Sequence, residues 1–164
     1  MRSNYRLPFS IAAVVLVLDQ ASKLIVEHGI AKWESVPVIP GFFNLVHVLN
    51  KGAVFGFLNR TDITWQVYFF IAASLAAVAV ILYLLRTEQY GDKMMLTGLG
   101  LLLGGALGNL FDRVRLGFVI DFLDFYVREY HWPSFNVADI AITTGTLTLI
   151  VSFYRKHKKT PVTR

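Results

Sequence analysis

Residues 94–113 read MMLTGLGLLLGGALGNLFDR. The first part, 94–111, carries no charge. A helix rises 1.5 Å per residue, so ~20 mostly apolar residues cross a ~30 Å hydrocarbon core. Gly100, Gly104 and Gly108 recur at every fourth position. Such a stripe of small residues lets another helix approach closely. Asp112 continues the stripe by one step, and Asn109 and Arg113 form a neighbouring i,i+4 pair. Three hydrogen-bonding side chains thus crowd one end of an otherwise apolar span. Reaching for water at the membrane surface is a sufficient reason for each taken singly.

Three further stretches have the same length and character. Residues 7–26 are apolar except for Asp19, Gln20 and Lys23. Residues 63–85 contain no charge, and residues 137–154 contain one acid, Asp139, near their start. The sequence therefore predicts an all-α integral membrane protein with four transmembrane helices in a single membrane-embedded domain, residues 1–164. Its extracytoplasmic loops are 27–62 and 112–136, and its cytoplasmic tail, 155–164, reads as disordered. The apolar run at the N-terminus lacks a small-x-small cleavage site, so it reads as an uncleaved signal-anchor.

Composition agrees. Of 164 residues, 55% are hydrophobic and 16% charged, against roughly 25% charged in soluble domains. So apolar a chain is neither disordered nor a nucleic-acid binder, despite its net charge of +5. Much of that charge sits at the two termini and near Arg86 and Lys93, with its densest cluster at 155–159. The positive-inside rule then places both termini in the cytoplasm. The absence of Cys excludes disulfides and a thiol nucleophile.

The first outer loop contains β-like runs at 36–39, 42–49 and 53–58, separated by Pro40-Gly41 and Asn50-Lys51-Gly52. They predict a small β-sheet cradle in that loop. The second outer loop is rich in Phe, Tyr and Trp, a composition suited to headgroup depth.

An acid inside a span costs roughly 2.5–3.5 kcal/mol on insertion scales, so each needs a reason. Asp19 and Lys23 share a helical face; they form either a self-neutralising pair or a lock between the first span and the outer loops. Asp121 and Asp124 are three apart, which reads as an interfacial amphipathic turn. Asn136 reads as an N-cap with Asp139 at N3, where an acid suits the helix dipole. Together, however, Asp112, Asp121, Asp124 and Asp139 map to one boundary of the bilayer, with Asn109, Arg113 and Asn136. Paired carboxylates in a dry site cannot both ionise, and a shared proton makes one an acid and the other a base. No H-E-x-x-H or G-x-S-x-G motif offers another mechanism. A small proton-coupled transporter or channel subunit is the alternative, and it calls for acids spread through the membrane depth.

Four stretches in order resemble the lipoprotein signal peptidases, the type II signal peptidases of bacteria. They are Asp19-Gln20-Ala21-Ser22-Lys23, residues 50–56 (NKGAVFG), residues 108–122 (GNLFDRVRLGFVIDF) and residues 135–142 (FNVADIAI). The resemblance covers essentially the full length; Val54 departs from the family's usual Ala. It implies a membrane aspartyl peptidase whose catalytic pair is Asp121 and Asp139. It implies that Asn50, Asn109, Arg113 and Asn136 orient the substrate or the acids. Asp19 and Lys23 match structural support, and Asp112 a partner for Arg113. The implied substrate is a prolipoprotein bearing a diacylglyceryl-Cys, cut just before that Cys under a cradle around residues 50–57. The implied setting is the bacterial inner membrane, with the site near the outer leaflet and the surrounding lipids in contact. Cyclic peptide inhibitors such as globomycin are implied ligands; no metal, organic cofactor or nucleic acid is expected.

Overall fold

The computed structural model describes residues 5–52, 65–88 and 92–159. The β-like run at 53–58, the departure at Val54 and most of the cradle at 50–57 lie outside them. Four helices are long and apolar enough to cross a membrane. They are α1 (Arg6–Gly29), α2 (Trp65–Thr87), α3 (Lys93–Leu116) and α4 (Val137–Lys159).

Helix α3 is central, and its glycines make it so. A Cβ on Gly100 or Gly104 would sit 2.7 Å from α1, against Pro8 O and Val15 Cβ respectively. Gly98 and Gly105 lie as tightly against α4, where a Cβ on Gly105 would fall 2.5 Å from Ala138 O. Small residues therefore line two faces of α3, each holding a neighbour at backbone distance. Leu99 and Leu103 fill the remaining space with Ala12 of α1 and Ile81 and Leu85 of α2. Helix α2 is the outlier, with Gln66, Ile81 and Leu85 its buried residues. Its other side chains are largely open, as expected of a helix that faces lipid.

Asp92 caps α3 by accepting from the amides of Met94 and Met95, and Gly117 ends it at φ +79°. That left-handed turn is one glycine adopts freely. Helix α4 continues through Lys159, where the sequence suggested a disordered tail after Tyr154. Its last turns are held by Ser152 Oγ, which donates to Asp92 at 2.8 Å, and by Lys156, 3.2 Å from Glu88.

A four-stranded sheet caps one end of the bundle, in the order β1 (Ser35–Ile39), β2 (Phe43–Asn50), β3 (Val119–Val127), β4 (Tyr130–His131). Pairing is antiparallel throughout. The sheet thus draws on both the 27–62 and the 112–136 stretches, where the sequence placed it in the first alone. Gly41, at φ +81°, turns β1 into β2. A bulge in β2 sets Leu45 opposite Leu123 and Val48 opposite Asp121, so two residues of β2, Val46 and His47, face one of β3, Phe122. Ile120 and Phe122 pack with Val26 of α1 beneath the sheet. The aromatic loop divides: Phe125 stacks between Phe43 and Phe135, while Tyr130 and Trp132 stay exposed.

Candidate active site

The site begins where chain segment 135–136 runs beside β3. The amides of Phe122 and Leu123 both donate to Phe135 O. This pairing carries Asn136 up to Asp121. Asn136 Nδ2 donates to Asp121 Oδ1 at 2.7 Å. The backbone N–H of the same residue donates to Asp139 Oδ2 at 3.3 Å, and its Oδ1 accepts from the Asp139 amide at 3.0 Å. The last two bonds form a reciprocal N-cap box at the start of α4. Asn136 therefore binds both acids while it starts the helix.

Two more asparagines complete the shell. Asn50, at the end of β2, donates to Asp121 Oδ2 at 2.9 Å and accepts from the Gly52 amide. Asn109 of α3 donates to Asp139 Oδ1 at 2.9 Å. Its own oxygen accepts from Lys23 Nζ at 3.0 Å and from Asn136 Nδ2 at 3.3 Å. All four oxygens of the two acids thus accept hydrogen bonds. Asp121 is 3% exposed. Burial, then the nearby Asp139 charge, push its carboxyl up to about 7. The bonds from Asn50 and Asn136 oppose that rise without cancelling it.

Beneath the acids lies a buried ionic knot. Lys23 Nζ is 2.8 Å from Asp19 and 2.9 Å from Asp112. Asp19 Oδ1 also accepts from the Ala138 amide on α4, and Asp112 Oδ2 from the Ile120 amide on β3. Gln20 Nε2 donates to Asp112 Oδ1 at 3.0 Å and to Asp19 Oδ2 at 3.1 Å. The Asp19–Lys23 pair neutralises itself and also ties α1 to α3, to α4 and, through Asp112, to β3 in the 112–136 stretch.

Asp112 pairs with Lys23, where the family resemblance implied Arg113. Successive helical positions are about 100° apart, so Asp112 faces α1 and Arg113 faces α2. Arg113 lies over the Phe70 ring at 5.3 Å and donates to Gly52 O at 3.1 Å.

Asp124 does not join the other acids. On a strand, residues three apart point to opposite faces. Asp124 instead accepts from Asn44 at 2.9 Å and contacts His131 Nδ1 at 2.9 Å. Asn44 and His131 carry no helical or motif-spacing signal that singles them out, and Gln20 stands in the first motif stretch with no role assigned to it there. Gln66 is uncharged and so passed unremarked in an apolar span.

A cavity of about 320 Å³ opens beside Asp139, with Trp132, Pro133, Phe135, Ile140 and Thr143 among its walls. Among the described residues no group of three His, Asp or Glu side chains converges as a metal site. The arrangement suits proton transfer between two carboxyls across a bound water and a polar substrate bond.

The family model described as signal peptidase (SPase) II matches residues 11–155. A lipoprotein signal peptidase of Maridesulfovibrio salexigens is 54% identical over 93% of this chain and 98% of its own. One from Nitratidesulfovibrio vulgaris is 51% identical over 93% and 92%. A solved bacterial membrane enzyme, determined by the in meso method at 2.3 Å resolution, superposes with a TM-score of 0.83. It is 29% identical, covering 96% of this chain and 93% of that one.

Proposed function

The chain belongs to the signal peptidase II family, and from that premise we propose that it is an aspartic endopeptidase of the bacterial inner membrane that cleaves prolipoproteins just before a diacylglyceryl-modified Cys. The observation that carries the reading is the shared Asn136: two acids from separate elements, Asp121 and Asp139, bind one residue, the first at its side-chain amide and the second at its backbone N–H. That residue holds both acids while leaving each carboxyl to act on whatever lies between them.

Asp121, whose carboxyl is pushed up to about 7, carries the proton at rest. Asp139 is the base. Water attacks the scissile carbonyl carbon as Asp139 takes its proton, and Asp121 gives its proton to the carbonyl oxygen. The resulting diol collapses. Asp139 then protonates the departing amine of the lipidated Cys, the C–N bond breaks, and a diol O–H returns its proton to Asp121. Both acids end as they began. Arg113 and Asn109 orient the substrate and Asp139 respectively. The scheme draws on no metal, so activity is expected to survive EDTA.

Lipidation sets the depth at which this takes place. Acyl chains hold the modified Cys at the bilayer surface, and the acids stand where the bundle meets the sheet. With both termini cytoplasmic, that surface is the outer leaflet. The apolar cavity beside Asp139 gives the substrate an oily wall next to the cut. Cyclic peptides such as globomycin are expected to compete for the same ground. The test is an in vitro cleavage assay on matched lipidated and unlipidated precursors. Cleavage of the lipidated form alone, one bond before Cys, is the expected result; equal cleavage of both would remove the lipid from the specificity.

A further inference from the structure

Among the described residues, three buried side-chain atoms have no hydrogen-bond partner: Nε2 and Oε1 of Gln66, and Nε of Arg113. Gln66 is fully buried, in the first turn of α2. Burying such an atom unpaired costs roughly 1–3 kcal/mol, and native structures keep few of them. These three also lie on one seam. Gln66 and Phe70 are four apart on α2 and share a face, and the Arg113 guanidinium of α3 lies over the Phe70 ring.

The seam connects to the acids by a short chain of bonds. Arg113 donates to Gly52 O, the Gly52 amide donates to Asn50 Oδ1, and Asn50 donates to Asp121. The unmet groups have a definite chemistry. A glutamine amide offers a donor beside an acceptor, the complement of a peptide unit's C=O and N–H. Arg113 Nε adds one more donor, suited to a second carbonyl.

A peptide bond about to be cut cannot lie inside a helix, so its neighbours lose their intrahelical partners. At membrane depth no water replaces them. We propose that Gln66, with Nε of Arg113, is a positioning site that hydrogen-bonds the substrate backbone flanking the scissile bond. The inference rests on the peptidase reading and adds to it a residue that binds the extended peptide.

The test pairs Gln66→Met, which keeps the shape and removes the amide, with a scan of lipidated peptides. Each peptide carries one ester in place of a backbone amide near the cleaved bond. The full chain is assayed in detergent micelles. The substitution is expected to lower kcat/KM about tenfold and leave the melting temperature unchanged or higher. One ester position should lower wild-type kcat/KM about fivefold and leave the Gln66→Met rate unaltered. Wild-type activity in Gln66→Met, or equal sensitivity of both enzymes to every ester, overturns the inference alone. A wild-type chain that leaves the unmodified lipidated peptide uncut overturns the peptidase reading itself. If Gln66→Met does not accumulate, the scan on wild type still decides, since no sensitive ester position means no backbone contact.

Discussion

Lys23 of α1 donates a 3.0 Å hydrogen bond to Asn109 Oδ1 of α3, and that bond decides which way the Asn109 amide faces. With its oxygen turned to Lys23, its nitrogen is aimed at Asp139. A lysine buried below the acids thereby sets the hydrogen bonding of one of them without touching it.

Lys23→Met would leave Asp19 and Asp112 buried with their cation removed. Removing one partner of a buried ion pair typically costs about 3–5 kcal/mol. The variant is expected to melt well below wild type in micelles, and Asp19→Asn added to it should recover part of the loss. Melting at the wild-type temperature would show that the knot contributes no stability.

Asp121→Asn and Asp139→Asn are each expected to lower cleavage of a lipidated precursor by at least ~10³-fold. Their far-ultraviolet dichroism should match wild type, because Asn keeps the shape of the side chain and neither helix nor strand depends on its charge. Normal processing by either variant would remove that residue from the chemistry.

Stability and activity should both depend on pH through Asp121. Its carboxyl titrates at the ordinary 3.8 when unfolded and at about 7 when folded. Between those values the folded chain holds a proton that the unfolded chain releases. The contribution of Asp121 to stability is therefore greatest below about 4, falls as pH rises through the window, and levels off above 7. Turnover should also fall above pH 7 as the general acid is lost. Asp121→Asn is expected to flatten this part of the melting-temperature profile; an unchanged profile would assign the slope to another group.

Glycine substitutions should sort by contact. Gly105→Ala would place a Cβ 2.5 Å from the Ala138 carbonyl, so it should destabilise by about 1–3 kcal/mol. Gly29→Ala meets nothing within 4 Å and should melt close to wild type. Equal melting temperatures for the two would show that α3 and α4 are not held at backbone distance.

The helices were legible because lipid imposes a crude requirement, ~20 apolar residues in a row, which any reading of the chain detects. Strand β3 was not legible. Its first four residues, Val119 to Phe122, are all buried, so no in-out alternation marks them as a strand. The spacing of Asp121 and Asp124 instead suggested one face of a helix. That error joined Asp124 to the acids, where the pleat sends it to Asn44 and His131. The family resemblance implied that Asp112 partners Arg113, yet the helix turns one to α1 and the other to α2. Gln66 bears no charge to mark it in an apolar span, and its oddity lies in burial without partners, which only a folded chain reveals.

Asn136 is at once the first stop of helix α4 and the clasp between two acids. Those acids come from different segments, and the remaining shell comes from α3 and the end of β2. Nothing short of the finished bundle brings them together. A chain still threading into the bilayer, with α4 not yet begun, has Asp121 and Asp139 as two unrelated carboxyls. The paired-acid arrangement therefore arrives only with assembly of the bundle.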